Sequence, residues 1–260
     1  MTDNRPIAFF DSGVGGLTVF AKVKKLLPNE NYLYFGDTKN MPYGEKSEKQ
    51  LIEFADRIFK FFEKQNAKAV VMACNTTSAI TYEKLKDNYN FKIYPIIQTV
   101  CSTLAGLDGV KSLGVIATPA TINSHAYSKG IAKYNKDMKV YELAAPNWVR
   151  IVEEHRIHQP QSIEQIKEIL EVMKENNPDK IVLACTHYPY LLDVLKKFLP
   201  EDKYIDPAIF FAQSIKNDLE KNNLLGQEPT YERFYVSSDP ENFKIASELF
   251  YKLDILPELV

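Results

Sequence analysis

The chain has 260 residues, 45% hydrophobic and 25% charged. These ordinary globular proportions exclude wholesale disorder, collagen-like sequence and a small disulfide scaffold. Its 32 basic residues against 34 acidic ones leave a formal charge of -2, a balance that argues against nucleic acid as the main partner. No apolar run approaches the ~18 residues of a membrane span. The polar lead of residues 1–6 has neither the charged start nor the long apolar stretch of a secretory signal. At ~150 residues per domain the length corresponds to ~1.7 domains, so one large or two compact domains are expected. The three cysteines, Cys74, Cys101 and Cys185, are an odd number without CxxC spacing. That pattern suits reduced thiols in the cytoplasm better than disulfides or zinc.

Short apolar runs at 7–10, 32–35, 69–73, 92–94, 112–116, 181–184 and 234–236 are read as strands, and amphipathic stretches lie between them. The clearest helix spans 47–65, where Leu51, Phe54, Ile58, Phe61 and Phe62 share a face and Ser47 with Gln50 makes a capping box. A second capping box, Ser162 with Gln165, predicts a helix that ends near Asn177. Such alternation implies an α/β fold whose mainly parallel sheet is covered by helices on both faces. No low-complexity linker divides the chain. There is an internal echo instead. Lys68-Ala-Val-Val-Met-Ala-Cys74-Asn-Thr resembles Lys180-Ile-Val-Leu-Ala-Cys185-Thr-His, and residues 7–11 echo 115–118 more weakly. In parallel sheets ligands bind beyond the strands' carboxyl ends. Two facing units of this kind place one thiol on each side of a shared cleft.

Either cysteine alone reads as a buried small hydrophobe. Two in matching positions, each where a strand gives way to polar residues, read as a functional pair. An ordinary thiol has a pKa of ~8.5, so a working thiolate needs help from a helix N-terminus or a cationic His187. Cys101 lies within a helical pattern and is read as structural. Asp11-Ser12-Gly13-Val14-Gly15-Gly16 follows the first strand and offers backbone amides to an anion, but it matches neither GxGxxG nor a P-loop. Asp11, at a strand's carboxyl end, is expected to face the cleft. Pro42-Tyr43-Gly44 reads equally as a plain turn or as part of the site. His187, two residues after Cys185, suits proton handling. His155 and His158 lie three apart on a candidate helix with no accompanying ligand set, so they are assigned to the surface and no metal site is expected.

These pieces together resemble the glutamate racemases of the cofactor-independent aspartate/glutamate racemase superfamily. The matching segments are Asp11-Ser12-Gly13-Val14-Gly15-Gly16, Gly36-Asp37-Thr38 with Pro42-Tyr43-Gly44, Ala73-Cys74-Asn75-Thr76, Gly114-Val115-Ile116-Ala117-Thr118 and Ala184-Cys185-Thr186-His187-Tyr188-Pro189. They occur in the family's order. The Pro-Tyr-Gly and Cys-Thr-His pieces favour glutamate over aspartate. Two departures bear on the shape of the pocket: the segment 144–153, which usually reads cysteine, proline, leucine, phenylalanine, and Ala117, where glycine is common.

The resemblance implies two pseudo-symmetric α/β lobes, residues 1–96 with 211–260 and residues 97–210, and a site between them. It implies interconversion of L- and D-glutamate with no cofactor, for peptidoglycan synthesis. The implied catalytic set is Cys74, Cys185, Asp11, His187 and Glu153. Cys185 would take the proton from L-glutamate and Cys74 from D-glutamate, assisted respectively by His187 with Glu153 and by Asp11. The substrate would be held by Asp11, Ser12, Pro42, Tyr43, Gly44, Asn75, Thr76, Thr118, Thr121, Thr186 and His187, with Asp37 supporting the Pro42 loop. The expected partner is this small molecule, with no membrane and with a homodimer left open. A related racemase acting on aspartate or a hydantoin, a cysteine hydrolase and an amino-acid-binding protein are the competing readings.

Overall fold

The computed structural model describes residues 2–227 and 231–260. In chain order its elements begin with β1 (Ile7–Asp11), α1 (Leu17–Leu26), β2 (Tyr32–Gly36), α2 (Glu48–Lys64), β3 (Ala69–Met72), α3 (Asn75–Leu85), β4 (Lys92–Pro95) and α4 (Ile96–Ala105). Then come β5 (Ser112–Ala117), α5 (Pro119–Ser124), α6 (Ala126–Ala132), β6 (Lys139–Ala144), α7 (Trp148–Glu153), α8 (Pro160–Glu175) and β7 (Lys180–Ala184). The chain closes with α9 (Leu192–Leu195), β8 (Tyr204–Ile205), α10 (Pro207–Lys221), β9 (Glu232–Val236), α11 (Pro240–Ser247) and β10 (Glu258–Leu259). Two sheets result, ordered β10-β9-β2-β1-β3-β4 and β6-β5-β7-β8. Every strand pair among the described residues is parallel. No helix among the described residues is long and apolar enough to cross a membrane.

Alternation along the strands sorts side chains between two faces. From β1, Ile7 and Phe9 enter the core that also holds Val115, Val182 and Phe211, while Ala8 and Phe10 pack under α2. The first of these cores takes residues from both sheets, so apolar packing joins them. Each large side chain buried there contributes roughly 1.5–3 kcal/mol. On α2 the fully buried face is Leu51, Ala55, Ile58, Phe59 and Phe62, with Phe54 and Phe61 on its flank. The Ser47–Gln50 capping box is formed in both directions.

The seven expected strands are all present. Three edge strands, β6, β8 and β10, carry no sequence expectation, because their residues are half-buried or exposed. The helix expected to begin at Ser162 instead begins at Pro160 after Gln159. Pro is preorganised for a helix's first turn, and Ser162 points inward, its hydroxyl buried without a hydrogen-bond partner. His155 and His158 lie in the turn after α7 rather than on a helix, and both are exposed.

One buried ion pair fastens the first sheet at the end opposite the site. Lys68 Nζ lies 2.6 Å from Glu30 Oε2, from the Asp3 carbonyl and from the Leu224 carbonyl. Glu30 also accepts the Gly226 amide at 2.7 Å.

Candidate active site

The site is assembled where β1, β3, β5 and β7 end. Asp11 is the last residue of β1, and its carboxylate is fully buried. The glycine loop's amides serve this internal anion: Gly13 donates at 3.0 Å, and Gly16 also donates. Burial nonetheless pushes Asp11 up to about 6, against the opposing pull of His187 and of these amides. Gly15 is required by close approach, since a Cβ there would fall 2.4 Å from His187 Cε1 and 2.5 Å from Thr186 Oγ1.

Cys74 follows β3 and caps the start of α3. Burial, and then the charge of Asp11, push its thiol up to about 12. Cys185 follows β7, and its Sγ lies 3.8 Å from His187 Nδ1. On the far side of that ring, Nε2 lies 2.5 Å from Oε1 of Glu153, the last residue of α7. Burial disfavours an imidazolium here, but contacts with Cys185 and Glu153 overcome it and raise His187 well above its ordinary value. The two thiols are therefore unlike. One has a carboxylate for a neighbour, the other an imidazole that favours its cationic form. Cys101 is fully buried on α4.

A cavity between these strand ends is lined by Ser12, Pro42, Tyr43, Gly44, Cys74, Asn75, Thr76, Thr118, Cys185, Thr186 and His187. Asp11, Thr121 and Glu153 stand behind its wall. Asp11 Oδ2 accepts from Thr186 Oγ1 at 3.4 Å, and Thr121 shares its hydroxyl with Thr118 at 3.1 Å. Thr76 and Thr118 meet at 2.9 Å, joining α3 to the loop after β5. Asn75 Oδ1 accepts from Tyr127, but its buried Nδ2 has no partner and is available to an incoming acceptor. Asp37 stays outside the cavity and holds its wall. It takes the Tyr43 hydroxyl, Asn40 Nδ2 and Arg57 Nη2. Met41, Glu45, Pro119, Pro146, Val149 and Arg150 also line the cavity, and sequence reasoning passed over them. The departing segment 144–153 marked the region of three of them; nothing in the sequence pairs Glu45 with Arg150. Among the described residues, no group of three or more His, Cys, Asp or Glu is placed to hold a metal ion.

The sequence profile of the Asp/Glu/Hydantoin racemase family matches residues 16–215. The chain belongs to this family. The glutamate racemase of Thermoanaerobacter pseudethanolicus is 39% identical over 249 residues, which cover 95% of this chain and 93% of that one. The crystal structure of the Francisella tularensis glutamate racemase in complex with D-glutamate superposes with a TM-score of 0.90 at 36% identity, covering 99% of this chain and 98% of that one. The aspartate racemase of Picrophilus torridus shares the fold more distantly, at TM-score 0.61 and 19% identity over 83% of this chain and 93% of that one. The expected architecture of parallel sheets flanked by helices is thus that of the glutamate racemases of this family.

Proposed function

We propose that the protein interconverts L- and D-glutamate without a cofactor, by proton transfer between two cysteines, in the cytoplasm and in supply of peptidoglycan synthesis. The observation that carries this reading is the placing of Cys74 and Cys185 on one cavity, each at the end of a strand in a different sheet. In this reading the two sheets belong to two lobes, 1–96 with 211–260 and 97–210. Inverting an α-carbon through a planar carbanion-like state needs a base on one face and an acid on the other. With L-glutamate, the Cys185 thiolate takes the α-proton and leaves the bonding pair on the carbon, delocalised into the carboxylate. The Cys74 thiol then protonates the opposite face. D-glutamate runs the same sequence in reverse. His187, held by Glu153, is the group beside Cys185 that assists its proton transfers, and Asp11, whose charge raises the Cys74 thiol, takes that thiol's proton in the reverse direction.

Neutral donors suit a substrate that carries its own charges. Ser12, Asn75, Thr76, Thr118 and Thr186, with the Tyr43–Gly44 backbone, would hold the carboxylates, with His187 beside one of them and Asp11 behind the wall toward the ammonium. Thr121 and Pro42 shape the wall. A substrate shorter by one methylene leaves such donors unpaired at about 1–3 kcal/mol each. The test is optical rotation of D-glutamate incubated with purified protein and no added cofactor, beside the same assay with aspartate. Rotation should decay to that of the racemate with glutamate, and at least ~100-fold less efficiently with aspartate, the loss of about two such groups. Unchanged rotation with glutamate, or equal rates with both acids, would overturn the proposal.

A further inference from the structure

Across the mouth of the cavity, one cation and one anion from opposite sides of the cleft meet. Glu45 ends the short 3-10 turn Tyr43–Glu45 that carries the Tyr43–Gly44 wall, and Arg150 lies on α7. Arg150 Nη2 and Glu45 Oε1 are 2.8 Å apart, and both side chains are more than half exposed. Both residues line the cavity, and Arg150 is the one Lys or Arg among its lining residues. The rims are close beside the pair as well, since a Cβ on Gly44 would meet Thr118 Cβ at 3.1 Å. The pair therefore bridges the two sides of the cavity at their exposed rim.

The charges decide what parting it accomplishes. A glutamate molecule carries two carboxylates and one ammonium, a net single negative charge. Inside the cavity it meets hydroxyl, amide and backbone donors beside the His187 imidazole, and no Lys or Arg but Arg150 among the described lining residues. At the mouth it meets a guanidinium already neutralised by Glu45. An exposed ion pair is only weakly favourable, because solvent and salt screen it. A substrate carboxylate can thus take Arg150 from Glu45 at little cost, and the fork of the guanidinium suits a carboxylate.

We infer that Arg150 is an entry residue for anionic substrates, paired with Glu45 and passed from it to the incoming carboxylate. This rests on the reading of the cavity as a glutamate site. Arg150 then acts on capture rather than on the proton transfers, which belong to groups deeper in the cleft. Charged steering of this kind appears in association and fades with salt.

The experiment compares wild type, Arg150→Gln and Glu45→Gln by racemisation kinetics and by calorimetric titration with D-glutamate, each at low and at high ionic strength. At low salt, Arg150→Gln should raise KM and the D-glutamate dissociation constant roughly fivefold, the equivalent of about 1 kcal/mol. Its kcat should change by less than about twofold, and the salt dependence of kcat/KM should flatten, as expected for a lost steering charge. Glu45→Gln should lower KM, because it unmasks the guanidinium. Unchanged binding in Arg150→Gln overturns the inference. So does a Glu45→Gln variant that loses affinity as Arg150→Gln does, since that would make the pair a simple clasp. A fall confined to kcat would assign Arg150 to the support of Glu153 on α7 and also overturn it. Wild-type protein that binds D-glutamate without racemising it would sink the proposed reaction and leave the entry residue standing on the titrations alone.

Discussion

Nε2 of His187 lies 2.5 Å from Oε1 of Glu153. Glu153 comes from a helix and His187 from the exit of β7, and their contact turns the other ring nitrogen toward Cys185. Cys74 has the opposite kind of neighbour in Asp11. This asymmetry makes the two sides of the cavity separately testable.

If each thiol serves one face, Cys74→Ser and Cys185→Ser should each lose racemisation in both directions, by at least ~10²–10⁴-fold, the usual worth of a general acid or base. A glutamate analogue with a leaving group on its β-carbon separates them, because elimination needs only the proton abstraction. Cys74→Ser should still eliminate from the L analogue, and Cys185→Ser from the D analogue. Cys101→Ser should leave both reactions as in wild type. One dispensable member of the pair, or the same handedness in both variants, would indicate a single base.

Glu153→Gln keeps a hydrogen-bonding partner for His187 but removes the negative charge. With less to hold its proton, the imidazolium should be lost at lower pH. The alkaline limb of the pH–rate profile should then move down by at least about one pH unit, the effect of an adjacent opposite charge. A fall in rate with an unmoved limb would mean that Glu153 only positions the ring.

Asp11→Asn should stabilise the protein while harming the reaction. Burial raises Asp11 from 3.8 to about 6 in the folded chain, so the folded state binds a proton more tightly than the unfolded one. Stability therefore falls as pH rises through that window and is not lost below it. At 1.36 kcal/mol per pH unit, the burden above the window is about 3 kcal/mol. Urea unfolding of both proteins should show Asp11→Asn the more stable near neutrality, by up to that amount. The difference should close in acid below 3.8. An equal difference at both pH values would show that packing, not charge, is responsible.

Lys68→Met should be destabilising by about 3–5 kcal/mol, because it leaves Glu30 buried without its counter-ion. The double variant Lys68→Met with Glu30→Gln should recover part of the loss. Denaturant unfolding measures both, and kcat of the folded fraction should be unaffected, since the pair sits at the sheet end away from the cavity. A single variant as stable as wild type would remove the pair from the account of this fold.

The interior of the fold was legible in the sequence because its strands are buried on both faces. Ala69–Met72, buried throughout, reads as an unbroken apolar run for that reason, and Ser112–Ala117 is buried from Leu113 onward. Lys139–Ala144 did not, since an edge strand with half-buried side chains needs no such run. Ser162 followed by Gln165 imitates a capping box, and Pro160 overrode it by its own preference for the first turn. In the site, the cysteines and His187 showed themselves because they follow strands directly. Glu45 and Arg150 stayed invisible, because each is an ordinary charged residue on its own turn and their meeting exists only in three dimensions.

The first sheet draws β9 from far along the chain and seats it beside β2, while all four strands of the second sheet lie between β4 and β9. During synthesis, a ribosome therefore releases every strand of the second sheet before it releases the partner that β2 awaits. Until residues 232–236 emerge, the β2 backbone is an open edge able to pair with a neighbouring nascent chain. Fragments ending between β8 and β9 should therefore be the species that a chaperone holds longest.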